Sequence, residues 1–140
     1  MTDFFNDNPE QQAVDPGYTG SRAVAIADGE LFDIGDMSRQ VGFRWPVALT
    51  KAAWNDSVAW TDDDSERQVP QTEYSRLYAI VSKCADFVRM RNPSNDRMRF
   101  RVDRVPRDGK SQKTHSVLLQ VLAHAGDNGE PVLTIRLPVQ

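Results

Sequence analysis

The strongest constraint on the fold is a run of residues in which charged and apolar side chains alternate without a break. The run extends from Arg97 to Asp103 and reads RMRFRVD. Side chains two residues apart on a β-strand lie on the same face of the sheet. The run therefore predicts a strand with one apolar face that packs on a core and one charged face in solvent.

The sequence that follows this strand predicts two more strands. Asp108-Gly109 is a tight-turn dipeptide, and counting outward from it pairs Phe100 with Val117. A second turn at 126–129 returns the chain for a last strand. Across this second turn, the predicted pairs are Ala123 with Leu133 and Val121 with Ile135. We expect a three-stranded antiparallel meander over the last third of the chain.

The N-terminal half predicts another hairpin. Two short apolar runs, 23–26 and 31–34, flank the turn dipeptide Asp28-Gly29. The pattern favours a β-hairpin with its turn at this dipeptide.

Three helices are predicted between the hairpin and the meander. Asp36 can cap a short helix that ends at Gln40, and Trp45-Pro46 can open a longer helix to about Trp60. The acidic segment 61–66 ends that helix. Thr72 can cap a third, amphipathic helix that stops before Pro93.

These elements define an α+β fold: an N-terminal β-hairpin, three helices, then a C-terminal three-stranded antiparallel meander packed on the helices. Residues 1–20 are rich in polar residues, proline and glycine, and we expect a flexible tail there. Residues 21–140 are expected to form a single α+β domain.

Composition excludes several classes of protein. The chain has one cysteine, Cys84, so it cannot form an internal disulfide, and its position on the apolar stripe of the third helix indicates a small core residue. No run approaches the roughly 18 apolar residues of a membrane span. Met1 to Glu10 lack the basic and apolar pattern of a secretion signal. We therefore expect no membrane association and a cytoplasmic location.

No catalytic constellation is recognisable, and the protein is expected not to be an enzyme. His115 and His124 lie nine residues apart on or just after one predicted strand, so their side chains point to opposite faces. We expect His115 at the edge of the core and His124 in solvent. No catalytic residue, cofactor or metal ligand is predicted.

Charge is divided unevenly along the chain. The net charge is -3, but residues 1–66 contribute -9 and residues 67–140 contribute +6. The basic candidates for partner binding are Arg97, Arg99, Arg101, Arg104, Arg107, Lys110, Lys113 and Arg136. We expect Arg97, Arg99, Arg101 and Arg136 to share the solvent face of the meander. Phosphates, an acidic protein surface or solvent alone are the alternatives for this face.

An acidic run offers a second candidate surface. Asp62, Asp63 and Asp64 could imitate nucleic-acid phosphates or engage a basic partner, and a solvated loop is the other interpretation.

Several strings of the chain resemble an uncharacterised family of proteins encoded on plasmids, phages and integrative elements. The resemblance is carried by 25–34 (AIADGELFDI), 41–50 (VGFRWPVALT), 105–110 (VPRDGK) and 129–138, and it covers about residues 20 to 138. It implies no catalytic or binding residue, because the family has no known activity. It implies a mobile genetic element as the habitat.

Two functions follow as expectations. The first is a non-enzymatic inhibitor that binds a protein complex of a bacterial host defence system, such as a CRISPR effector or a restriction enzyme. The second is a nucleic-acid-binding accessory or regulatory protein that uses the basic sheet face. The oligomeric state is left open.

Overall fold

A mixed five-stranded sheet with strand order β1-β2-β5-β4-β3 organises the chain. The computed structural model describes residues 15–90 and 96–138. Its strands are β1 Leu31–Asp33, β2 Val47–Thr50, β3 Arg97–Arg104, β4 His115–Ala125 and β5 Pro131–Arg136. Its helices are α1 Arg22–Ala27, α2 Gly35–Gln40, α3 Lys51–Ser57, α4 Asp62–Arg67 and α5 Glu73–Met90. The α+β class is therefore confirmed, although the arrangement differs from the predicted one.

The main core lies between one face of the sheet and helices α2, α3 and α5. The alternation in β3 directs Phe100 and Val102 into this core, where they meet Leu77, Ile80 and Val81 of α5. We call this side of the sheet the helix side. Among the described residues, no helix is long and apolar enough to cross a membrane.

The predicted N-terminal hairpin is wrong, because residues 22–27 form helix α1. Ser21 caps its first turn by accepting a hydrogen bond from the Val24 amide. Gly29, with φ of +78°, ends the helix, and the amide of Glu30 bonds back to the carbonyl of Ala25. Asp28-Gly29 thus forms a helix C-cap, a role that uses the same left-handed glycine as a hairpin turn.

The predicted helix from Trp45 to Trp60 is also wrong at its start. All four residues of β2 are buried, and the strand lies between β1, its antiparallel neighbour, and β5, its parallel neighbour. A central strand buried on both faces has no alternation, so its apolar run cannot be distinguished from a buried helix by pattern. Thr50 then caps α3 by accepting from the Ala53 amide.

The acidic segment 61–66, predicted to end a helix, begins another one. Thr61 and Asp64 form a capping box at the start of α4, in which each side chain accepts from the other residue's backbone amide. Three aspartates in the first turn of α4 suit the positive end of the helix dipole.

The predicted meander is present as β3, β4 and β5, but it forms part of a larger mixed sheet. Ala123 pairs with Leu133 and Val121 with Ile135, as predicted. The register between β3 and β4 is shifted by two residues, because Phe100 pairs with Leu119 rather than with Val117. A shift of two keeps every side chain on its predicted face.

The other face of the sheet, the outer side, is partly covered by α1 and the residues before it. The carboxylate of Asp127, in the β4–β5 turn, accepts from the amides of Arg22 and Ala23. The Arg22 guanidinium donates to the hydroxyl of Thr134 and to the carbonyl of Leu133. These bonds fix α1 over β5, the central strand of the sheet.

Part of the predicted tail lies against the same side. The Tyr18 hydroxyl accepts from Arg22, and the Arg136 guanidinium donates to the carbonyl of Asp15. Residues 1–14 of the predicted tail lie outside the described residues.

Candidate anion-binding face of the sheet

The exposed arginines of β3 form the most coherent charged surface in the described part of the chain. Arg97, Arg99 and Arg101 all point to the outer side and are exposed, whereas Phe100 and Val102, on the other face of the strand, are buried. Because β3 is at the edge of the sheet, this row borders open solvent. We call Arg97, Arg99, Arg101 and their neighbour Arg136 the arginine face.

The structure divides the predicted basic set into separate places. Arg104 lies on the helix side, where its guanidinium pairs with the carboxylate of Asp56 at 3.2 Å. Arg107 pairs with Asp64 at 2.7 Å. Lys110 and Lys113 are exposed in the loop 105–114 that connects β3 with β4. Strand alternation explains the separation of Arg104. The outer side of β3 carries its odd-numbered residues, and residue 104 is even-numbered.

Arg136 is on the predicted face, but it is not in solvent. Only 8% of the residue is exposed. Its neighbours across the sheet are Gln120 on β4, which is also 8% exposed, and then Arg99 on β3. The segment around Asp15 and Gly17 covers it from outside, which the sequence did not indicate because that segment had been predicted as tail.

The hydrogen bonds of this row are incomplete. The buried Nε of Arg136 has no hydrogen-bond partner. Within the described residues, the side chains of Arg99, Arg101 and Gln120 form no hydrogen bond or ion pair. Arg97 has an ion-pair contact with Asp96 at 3.6 Å. The side chains of Arg99 and Gln120, at the centre of the face, thus form no bond with any carboxylate of the described residues.

The acidic candidates are partly used by the fold. Asp64 caps α4 and pairs with Arg107, while Asp62 and Asp63 are exposed on the first turn of α4. None of the three has a described hydrogen bond or ion pair with the arginine face.

The loop 105–114 is held by a residue that sequence reasoning missed. The side chain of Gln68, 6% exposed, donates to the carbonyls of Pro106 and Ser111, both at 2.7 Å. Its amide oxygen accepts from the Gly109 amide at 3.1 Å. Hydrogen bonds from Ser111 and the Lys110 amide hold the pKa of Asp108 well below its ordinary range. These bonds hold the backbone of residues 106–111, which includes Lys110.

The burial of the two histidines is the reverse of the predicted one. His115 is exposed, whereas His124 is partly buried beside Tyr18, and its Nε2 lies 2.7 Å from the hydroxyl of Thr134. The Nδ1 of His124 lies 3.0 Å from the Ala125 carbonyl, which can only accept, so Nδ1 carries the proton and Nε2 accepts from Thr134. Burial and, less strongly, the charge of Arg22 lower the pKa of His124, and the ring is neutral near pH 7.

Other chemistry-bearing groups are structural. Cys84 is fully buried in the main core, and burial raises the pKa of its thiol to about 12. Within residues 15–90 and 96–138, no group of three or more His, Cys, Asp or Glu side chains is placed to hold a metal ion.

An apolar cavity of about 300 Å³ lies on the helix side, and its lining includes Arg97 at one end of the arginine face. Phe43 and Trp45 from the α2–β2 loop line it together with Val88 and Met98. Trp45 is partly buried against the core, so it is neither a full core residue nor an exposed anchor.

A family model described as a family of unknown function, DUF6573, matches residues 12–140. No curated protein matches the chain, and no solved structure does.

Proposed function

The chain belongs to the DUF6573 family, and we propose that it is a non-enzymatic binding protein whose arginine face contacts nucleic acid. The observation that supports this most directly is the pair Arg99 and Arg101. Both are exposed at the sheet edge, and neither forms an ion pair with a described residue. Guanidinium groups that the fold does not use are available to phosphate oxygens.

The geometry of β3 suits a polymer of phosphates. Alternate residues of a strand are roughly 7 Å apart along the chain direction. Arg97, Arg99 and Arg101 therefore form a straight row of cations with a regular repeat. A regular row favours a linear polyanion over a single small ligand.

The face is built to contact the backbone of a nucleic acid rather than its bases. The outward positions of β3 are three arginines and Asp103, and the aromatic residue of that strand, Phe100, is buried on the helix side. Without aromatic side chains for base stacking, contacts are electrostatic and independent of sequence. The overall pI near 5.3 gives the chain a net negative charge near neutral pH, so this binding depends on the local positive charge of the arginine face.

Fluorescence anisotropy with labelled single-stranded and duplex oligonucleotides tests this function. We expect affinity that varies little with base sequence and falls linearly with salt on a double-logarithmic plot. A double variant, R39Q/R89Q, is the matched control, since both arginines are exposed on α2 and α5 and are ion-paired away from the arginine face. Absence of binding at low salt would overturn the proposal.

Protein binding is the second candidate function, and exposed residues outside the arginine face support it. Tyr74 and Tyr78, one turn apart on α5, are 62% and 47% exposed. Tyrosine is enriched at the energetic centres of protein interfaces. On this alternative, the protein is carried by a plasmid, phage or integrative element and inhibits a bacterial defence complex, with the exposed tyrosines as part of its contact surface.

Affinity capture from a bacterial lysate, with and without nuclease, distinguishes the two functions. A defence complex that is retained after nuclease treatment, and lost with Y74S/Y78S, would support inhibition. Nucleic acid that is retained by Y74S/Y78S and removed by nuclease would support the arginine face.

A further inference from the structure

The centre of the arginine face contains a cavity of about 390 Å³ lined by polar side chains. Arg99, Gln120 and Arg136 line it from three adjacent strands, since Arg99 pairs with Gln120 and Gln120 pairs with Arg136. Arg97 and Met98 complete the lining. The cavity is thus part of the sheet itself, where side-chain positions are set by strand register.

Two polar groups that line this cavity, the Arg136 Nε and the Gln120 side-chain amide, have no hydrogen-bond partner among the described residues. Arg136 is 8% exposed, and its buried Nε has no hydrogen-bond partner. Gln120 is also 8% exposed, and its side-chain amide forms no hydrogen bond within the described residues. A buried donor without a partner is destabilising.

The two charged donors among these three residues are both cations. Two guanidinium groups, Arg99 and Arg136, flank a neutral amide, and neither pairs with a described carboxylate. Two cations and an amide donor match an oxyanion with several acceptor oxygens, whose geometry guanidinium groups recognise through paired N–H donors.

We propose that Arg99, Gln120 and Arg136 form a binding site for one phosphate group. The inference rests on the proposed function, in that it identifies the position where one phosphate of a nucleic acid is held. The phosphate can belong to an internal phosphodiester or to a terminal phosphomonoester. The volume of the cavity leaves room for a sugar beside the phosphate.

Titration with inorganic phosphate, with chloride replaced to keep ionic strength constant, tests the site. NMR signals of the Gln120 side-chain amide and of the Arg136 Nε–H are expected to shift and saturate. The variant Q120E places a carboxylate between the two guanidinium groups at nearly unchanged volume, and we expect roughly tenfold or weaker phosphate binding from it. Q40E, an exposed glutamine at the end of α2, changes charge equally and should bind as the wild type does.

Thermal unfolding of Q120E shows whether the variant is folded, and Q120L removes the amide without adding charge as a second variant. Phosphate that leaves both signals unchanged, or that binds Q120E and Q120L as tightly as the wild type, would overturn the site. If the site exists, dinucleotides with and without a 5′-phosphate identify the source. Equal affinity indicates a phosphodiester, whereas preference for the 5′-phosphate indicates a terminal monoester.

The outcomes separate the site from the function. Phosphate binding in a protein that binds no oligonucleotide would leave the site standing and remove the proposed function. Oligonucleotide binding that is unchanged in Q120E, with no response to phosphate, would support the proposed function and remove the phosphate site.

Discussion

The side-chain nitrogen of Gln68 donates to the carbonyl oxygen of Pro106 at 2.7 Å, although the two residues are 38 positions apart. This bond and its companion to the carbonyl of Ser111 fix the loop 105–114 from the end of α4. They also explain why the β3–β4 hairpin does not close at Asp108-Gly109. Residues 105–114 form a longer loop whose carbonyl groups accept hydrogen bonds from the Gln68 side chain, rather than a two-residue turn.

Replacing Gln68 should therefore destabilise the protein as a whole. Q68L leaves the Pro106 and Ser111 carbonyls without their donors, and we expect the free energy of unfolding to fall by about 2 kcal/mol. Urea unfolding measures the change. Q112L, at an exposed position of the same loop, is the control, and an equal loss in both variants would contradict this account.

The fold was predictable where local pattern decides it. The alternation of β3 placed Phe100 and Arg99 on the correct faces, and Thr72 marked the start of α5, where its hydroxyl accepts from the Ser75 amide. The predictions for α1 and β2 were wrong because contacts with residues distant in the sequence determine the secondary structure there. Asp127 and Arg22 stabilise α1 through contacts across the chain, and β2 is a strand because β1 and β5 lie beside it.

His124 should make stability depend on pH. Its pKa is lowered in the folded protein, so between its ordinary value of 6.5 and the folded value the unfolded chain binds a proton that the folded protein does not. The free energy of unfolding is then fully retained above pH 6.5 and falls as pH decreases, by at most about 1.4 kcal/mol per pH unit. Urea unfolding at a series of pH values measures the slope.

H124Q should reduce this pH dependence, because glutamine has no proton to gain. H115Q, at an exposed position, should leave it unchanged. A wild-type slope that is retained in H124Q would show that another group titrates.

Cys84 should be inert in the folded protein. The residue is fully buried, and burial raises the pKa of its thiol to about 12, so little thiolate forms. We expect an aromatic disulfide reagent to label the thiol slowly in native buffer and rapidly in denaturing urea. Rapid labelling of the native protein would contradict the structural role of Cys84.

The candidate site was predictable in part. Alternation alone assigns Arg97, Arg99 and Arg101 to one face, since strand parity requires no tertiary information. The position of Gln120 opposite Arg99 could not be foreseen, because the predicted β3–β4 register is two residues off, and the burial of Arg136 depends on the segment near Asp15. Arg104 lies on the other face of β3, as strand parity requires, but its ion pair with Asp56 could not be foreseen because it joins residues 48 positions apart.

The measurement that tests the central claim most directly is the salt dependence of oligonucleotide binding by R99Q/R101Q. If each arginine contacts one phosphate, we expect uniformly weaker binding and a slope of log K against log salt that is smaller by about 1.4 for single strands or 1.8 for duplexes. R39Q/R89Q should keep the wild-type slope. Unchanged affinity and slope in R99Q/R101Q would show that the arginine face does not bind nucleic acid.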